Sequence, residues 1–247
     1  MNSLLKLTWT ETKLFLREPM AAFFTLIFPL MILFFFGSIY GNEPTPFFGG
    51  YGTVDISVPA YTAMIIATSG LLGLSIVISS YRERGILRRL KATPLRPYTI
   101  LSAQVIVIFA MTTVGMAMLI LAGKLFYNLR FAGSLFNVAG AFALSSISFF
   151  ALGFVIAGLM PTARTAQVVS MVLFYPMLFL SGAAIPSEVM PETIQQYAKA
   201  LPLTHVVSLL RGLWIGESWG QHLTEVGVLV AMTVIGVMIS AKTFRWE

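Results

Sequence analysis

The chain alternates between long uncharged apolar stretches and short polar segments. Five stretches are clear, at about 19–40, 59–80, 99–123, 133–159 and 166–185. A sixth, 223–241, is weaker because Glu225 sits at one end. About 20 apolar residues suffice to cross roughly 30 Å of hydrocarbon as a helix. The pattern therefore predicts an all-α polytopic membrane protein with six transmembrane helices. Six spans place both termini on the same side.

Two segments outside the spans also carry a pattern. In 2–18, Lys6, Thr10, Lys13 and Arg17 recur at spacings of four, three and four, forming one polar stripe. Leu5, Trp9 and Leu16 flank it on one side, Leu7 and Leu14 on the other. A basic stripe edged by an aromatic residue predicts an interfacial amphipathic helix; the plainer reading is a basic flank that sets orientation. In 186–221, Pro186, Pro191 and Pro202 interrupt apolar pieces too short to span, among them 201–214 around Arg211. Such a segment predicts re-entrant half-helices dipping into the outer leaflet, where protein or a wet cavity satisfies the backbone. An ordinary outer loop is the alternative. No internal repeat is visible.

Charge orients this scaffold. The loop 82–96 holds six of the 16 basic residues, namely Arg82, Arg84, Arg88, Arg89, Lys91 and Arg96. With the N-terminus inside, 12 Lys and Arg fall on the cytoplasmic side against 4 outside, a strong positive-inside bias. The chain is 57% hydrophobic and only 11% charged, where a soluble domain carries about 25% charged residues. The net charge of +6 is accounted for by topology and anionic headgroups rather than by nucleic acid. The absence of cysteine excludes disulfides and thiol chemistry. Glu11, Arg17 and Glu18 precede a first apolar run long enough to span, a poor fit to a cleavable signal peptide.

Signals for chemistry are sparse. His205 and His222 are the only histidines and have no carboxylate cluster beside them in sequence, whereas a metal site needs more ligands. Gly123-Lys124-Leu125 lacks the rest of a phosphate-binding loop, and nucleophile-elbow and zinc-protease patterns are missing. The chain reads as a non-enzyme with no cofactor of its own. The span interiors, as assigned, hold no charge, which argues against a proton-coupled carrier. Ser145, Ser146, Ser148, Gly153, Gly158 and Ser170 are small residues suited to close helix packing. The basic loop is the exception. Orientation alone does not require Ile86, Leu87 and Leu90 among the arginines. Their spacing puts Leu90 on one helical face with Ile86 or Leu87, and Pro94 and Pro97 then end the turn. A short amphipathic element held between two spans offers apolar knobs to a cytoplasmic partner.

These residues resemble the permeases of type-2 ATP-binding-cassette exporters, the ABC-2 family, over nearly the whole chain. Arg17-x-Pro19 with Phe28-Pro29-Leu30 is similar to the family's entry into its first span. Glu83-x-Gly85-x-Leu87-x-x-Leu90-x-x-Thr93-Pro94-Leu95 resembles its coupling-helix motif. Leu180-Ser181-Gly182, Ile185-Pro186, Met190-Pro191, Leu201-Pro202-Leu203-Thr204 and Arg211-Gly212 resemble its outer re-entrant signature. The resemblance implies a transport subunit with no ATPase site. It would assemble with a second permease, identical or related, and with two cytoplasmic ATP-binding subunits that hold ATP and Mg. By the same resemblance, Glu83 and Gly85 shape the coupling element, while Ile86, Leu87 and Leu90 seat it in the ATPase and Thr93-Pro94 belong to the same motif. Ser181, Gly182, Pro186, Pro202, Arg211 and Gly212 belong to an outer gate. The short outer loop, about 41–58, departs from members with a large outer domain. The expectation is an exporter of an amphipathic or hydrophobic small molecule in the bacterial cytoplasmic membrane. The alternatives are export of a lipid-linked polysaccharide and, in another class, a self-contained channel or secondary carrier.

Overall fold

The computed structural model describes residues 3–86 and 97–243. Most of the described residues are helical, and none is in a strand. Helix α1 is Ser3–Arg17. Helix α2 runs as Pro19–Ala22, a π-helical stretch Phe23–Ile27 and Phe28–Tyr40. Helix α3 runs as Thr53–Ala67, a second π-helical stretch Thr68–Leu74, and Ser75–Glu83. Then follow α4 (Pro97–Tyr127), α5 (Leu135–Leu159) and α6 (Ala163–Leu180). Short helices α7 (Glu192–Ala198) and α8 (Pro202–Trp214) precede α9 (Leu223–Thr243). Among the described residues, six helices are long and apolar enough to cross a membrane. The chain is a multi-pass membrane protein.

Helix α3 occupies the centre. From Val54 to Leu71 all its side chains are buried, and it packs on α2, α4, α5, α6 and α8. The buried-all-round pattern explains why it has no polar stripe. Its contact with α5 depends on glycine. A Cβ at Gly70 would lie 2.6 Å from the Phe149 carbonyl oxygen, and one at Gly153 would overlap the Gly70 carbonyl. Close approach through small residues is how helices associate where lipid competes for apolar contact. Serines join it: Ser145, Ser146, Ser148 and Ser170 are fully buried. Ser75 and Ser170 hydroxyls meet at 2.9 Å between α3 and α6. Ser148 donates to the Leu229 carbonyl at 2.9 Å or pairs with Thr233 at 2.8 Å, fastening α5 to α9.

Two spans depart by five residues or more from their expected extents. The second span, α3, begins at Thr53, six residues earlier than the pattern indicated, and takes Asp55 into the bundle with no exposed surface. An expectation of uncharged spans fails at this point, because hydrogen bonding rather than apolarity decides that end. The fifth span, α6, stops at Leu180 instead of 185; Ser181 caps it and Gly182 turns the chain at φ +88°. In α1 the polar stripe is exposed as expected, with the Lys13 ammonium 5.1 Å from the Trp9 ring. Leu5, Trp9, Leu14 and Leu16 are also exposed. The residue that α1 buries is Glu11, 7% exposed.

Candidate functional site

Two polar clusters stand at opposite ends of the bundle. At the end that leads into the basic loop, the last turn of α3 reaches out in three directions. Tyr81 donates a hydrogen bond to Glu11 of α1 at 2.6 Å and accepts one from Gln104 of α4 at 3.1 Å. Arg82 donates to the Gly158 carbonyl at 3.2 Å and to the Met160 carbonyl, satisfying the C-terminal end of α5. The Glu83 carboxylate accepts the Ala163 N–H at 2.9 Å, so a negative charge sits at the positive N-terminus of α6. That terminus is also closed by Thr162 and Thr165. Each hydroxyl accepts the other's backbone N–H at 3.2 Å, a reciprocal cap. Arg82, Gly158, Leu159, Met160, Pro161, Lys242 and Thr243 line an adjoining cleft of about 490 Å³.

Of the expected coupling residues, Glu83, Gly85 and Ile86 are described. Gly85 has φ +64° and its N–H bonds the Arg82 carbonyl at 3.0 Å. This left-handed turn, which a side chain would strain, redirects the chain out of α3. Leu87, Leu90, Thr93 and Pro94 lie outside the described residues.

At the opposite end, α8 is buried against α3, α5, α6 and α9. Leu203, Val206, Leu209, Leu210 and Leu213 face inward. Pro202 starts α8 at a first-turn position where its missing N–H costs nothing. Pro186 leads into the short turn Ser187–Val189. Arg211 pairs with Glu188 of that turn. Burial pushes the Glu188 carboxyl up, but the hydrogen bond and charge of Arg211, with help from Ser187 and a backbone N–H, outweigh it and hold the group below its usual value. Gly212 lies under His222, whose Nε2 meets the Glu217 carboxylate at 2.7 Å; Glu225 is 3.8 Å from its Nδ1. Ser181 is 2% exposed, its hydroxyl accepts the Ala183 N–H at 3.3 Å, and Gly182 sits against Val207 of α8. The structure thus brings Ser181 and Gly182 onto α8, and Arg211 and Gly212 into a charged corner with Glu188, Glu217 and His222.

Sequence reasoning missed the Asn42–Asp55 pair. Asp55 accepts from the Asn42 amide at 2.8 Å, the Gly52 N–H at 3.0 Å and the Arg130 N–H at 2.8 Å. Asn42 returns the favour, its oxygen accepting the Val54 and Asp55 N–H groups at 3.0 and 3.1 Å. It also donates to the Tyr127 carbonyl at 3.1 Å. One buried carboxylate and one amide therefore cap α3 and fasten the ends of α2, α3 and α4 together. The available signal was an acidic residue three positions after a helix-starting glycine.

A model of the ABC-2 type transporter family matches residues 2–214. The chain belongs to the ABC-2 type transporter family. Among curated relatives, "Nodulation protein J" of Rhizobium leguminosarum bv. viciae is 32% identical over 103 residues, 42% of this chain and 40% of that protein. This match spans well under half the length of that relative. The "Putative transport permease YvfS" of Bacillus subtilis (strain 168) is 27% identical over 242 residues, 97% of this chain and 96% of the relative. The "Probable multidrug ABC transporter permease YbhR" of Escherichia coli (strain K12) is 25% identical over 161 residues, covering 65% of this chain and 44% of that protein.

Proposed function

We propose that this chain is the permease subunit of an ATP-driven exporter that moves an amphipathic or hydrophobic small molecule out across the bacterial cytoplasmic membrane, with both termini inside. Energy comes from two separate ATP-binding subunits, and a second permease copy or homologue completes the path. The observation that carries this reading is the course of α3. The most enclosed helix of the bundle runs from the Asp55 cap to Glu83 and delivers the chain directly into the basic loop. A displacement of that loop acts on the core rather than on a peripheral helix.

In this reading Ile86, Leu87 and Leu90 seat the loop in the ATPase. Gly85 sets its exit angle, and Thr93-Pro94 end it. Lys6, Trp9, Lys13 and Arg17 hold α1 in the inner interface. Ser181, Gly182, Pro186, Pro202, Arg211 and Gly212 belong to an outer gate that opens when α8 shifts, with α7 and α8 as its half-helices. The multidrug wording attached to YbhR and the apolar spans support a greasy substrate.

The test is the double variant Leu87→Asp/Leu90→Asp in the complex with the ATP-binding subunit. We expect normal membrane insertion and loss of ATPase stimulation by a panel of amphipathic cations, because two buried charges replace the apolar seat. Undiminished stimulation would refute the docking role.

A further inference from the structure

We propose that Tyr81-Arg82-Glu83 is a transmission joint, with Glu83 a positioning residue that moves α6 when the adjacent loop is displaced. The proposal rests on the reading of the chain as an ATP-driven permease. Three consecutive side chains in the last turn of α3 bond four other helices or their ends. Tyr81 holds α1 through Glu11 and α4 through Gln104. Arg82 holds the end of α5 through Gly158 and Met160. Glu83 holds the first residue of α6 through Ala163. No other described helix turn distributes bonds so widely, and this one stands immediately before the loop.

The ties differ in kind. Glu11, Tyr81 and Gln104 form a short chain in which Glu11 is 7% and Gln104 4% exposed, so breaking it orphans buried groups. Arg82 grips the turn between α5 and α6 through carbonyls. The Glu83 bond is charge-assisted and lies along the α6 axis at its positive end. Glu83 and Ala163 are both away from the deep core, so this bond can break and re-form without opening a cavity. Deeper down, Ser75 and Ser170 hold the same two helices at 2.9 Å. A pull on α3 therefore turns α6 about an inner pivot, through Glu83 as the lever. α6 leads at its far end into Ser181 and Gly182, so the joint links the basic loop to the opposite face through one helix. Coupling of this kind needs an element with two arrangements that both sites bias, and the joint assigns that role to α6.

The chain contains no cysteine, which permits paired spin labels at Met31 on α2 and Val168 on α6, both exposed. The complex with the ATP-binding subunit is measured with and without ATP and vanadate. Ala163→Pro removes the N–H that Glu83 accepts at a first-turn position that favours proline, after a Thr162 already extended at φ −133°, ψ 160°. The expected result is a distance shift in the parent complex that is lost in Ala163→Pro and in Glu83→Ala. Glu83→Gln, which keeps an acceptor oxygen, retains most of the shift. All three are expected to co-purify with the ATP-binding subunit at the parent level. If Ala163→Pro misfolds, the comparison of Glu83→Ala with Glu83→Gln makes the same discrimination. A parent shift that persists in Glu83→Ala, a parent with no shift, or loss of the ATP-binding subunit in step with loss of the shift each overturns the joint. The Leu87→Asp/Leu90→Asp variant reports separately on docking.

Discussion

Removing the Asp55 carboxylate tests whether the N-terminal end of α3 is held by hydrogen bonds rather than by apolar contact. Asp55→Ala orphans the Gly52 and Arg130 N–H groups; the Asn42 amide still reaches the Tyr127 carbonyl. A buried donor left unpaired costs about 1–3 kcal/mol, so two cost about 2–6 kcal/mol. Asp55→Asn keeps one oxygen for Asn42 and Arg130 and turns an amide toward Gly52, losing one bond, about 1–3 kcal/mol. It also removes a buried charge that has no cationic side chain within bonding distance among the described residues, which lowers its cost further. At about 2–4 °C per kcal/mol for a chain of this size, Asp55→Ala should lower the apparent melting temperature by at least about 4 °C. Asp55→Asn should fall between it and the parent. Tryptophan fluorescence of detergent-solubilised protein reads the shift, with Trp214 well placed because its indole N–H bonds the Arg130 carbonyl at 3.1 Å. An Asp55→Ala protein melting with the parent, or an Asp55→Asn protein less stable than Asp55→Ala, would refute the accounting.

Other consequences are more local. A Cβ at Gly212 would overlap the His222 ring; Gly212→Ala should destabilise the corner by about 1–3 kcal/mol through overpacking, and adding His222→Ala should recover most of it in thermal scans. Because Arg211 holds the folded Glu188 carboxyl below its ordinary 4.5, the pair's contribution is complete above that pH and fades as pH falls through the depressed value. Parent and Glu188→Gln should then differ by a constant amount, at most about 1 kcal/mol for this partly exposed pair, from neutral pH to about 4.5, and converge below; a difference that grows on acidification would contradict the assignment. Single cysteines at Ala92 and Glu192 should label from opposite sides of the membrane, and labelling from one side would break the proposed topology.

The hydrophobic pattern determined the number of spans and their class, because crossing a bilayer is a one-dimensional requirement on length and apolarity. The motifs of the basic loop and the proline-rich segment carried the family, since each is a short run of residues in a set order. Pairing across the bundle was not legible. Glu11 was an inconspicuous acid in an amphipathic helix, yet it is the group that α1 buries, against Tyr81 of α3. Asp55 looked like a loop residue because charge normally ends a span, and only Asn42, Gly52 and Arg130 converging on it make its burial tolerable. Glu83 was legible as part of a motif, but its partner, the first N–H of α6, lies 80 residues away. A polar group in a membrane protein is placed by whichever donor or acceptor the folded bundle brings within 3 Å or so of it. That is a property of the tertiary arrangement, and no window along the chain contains it.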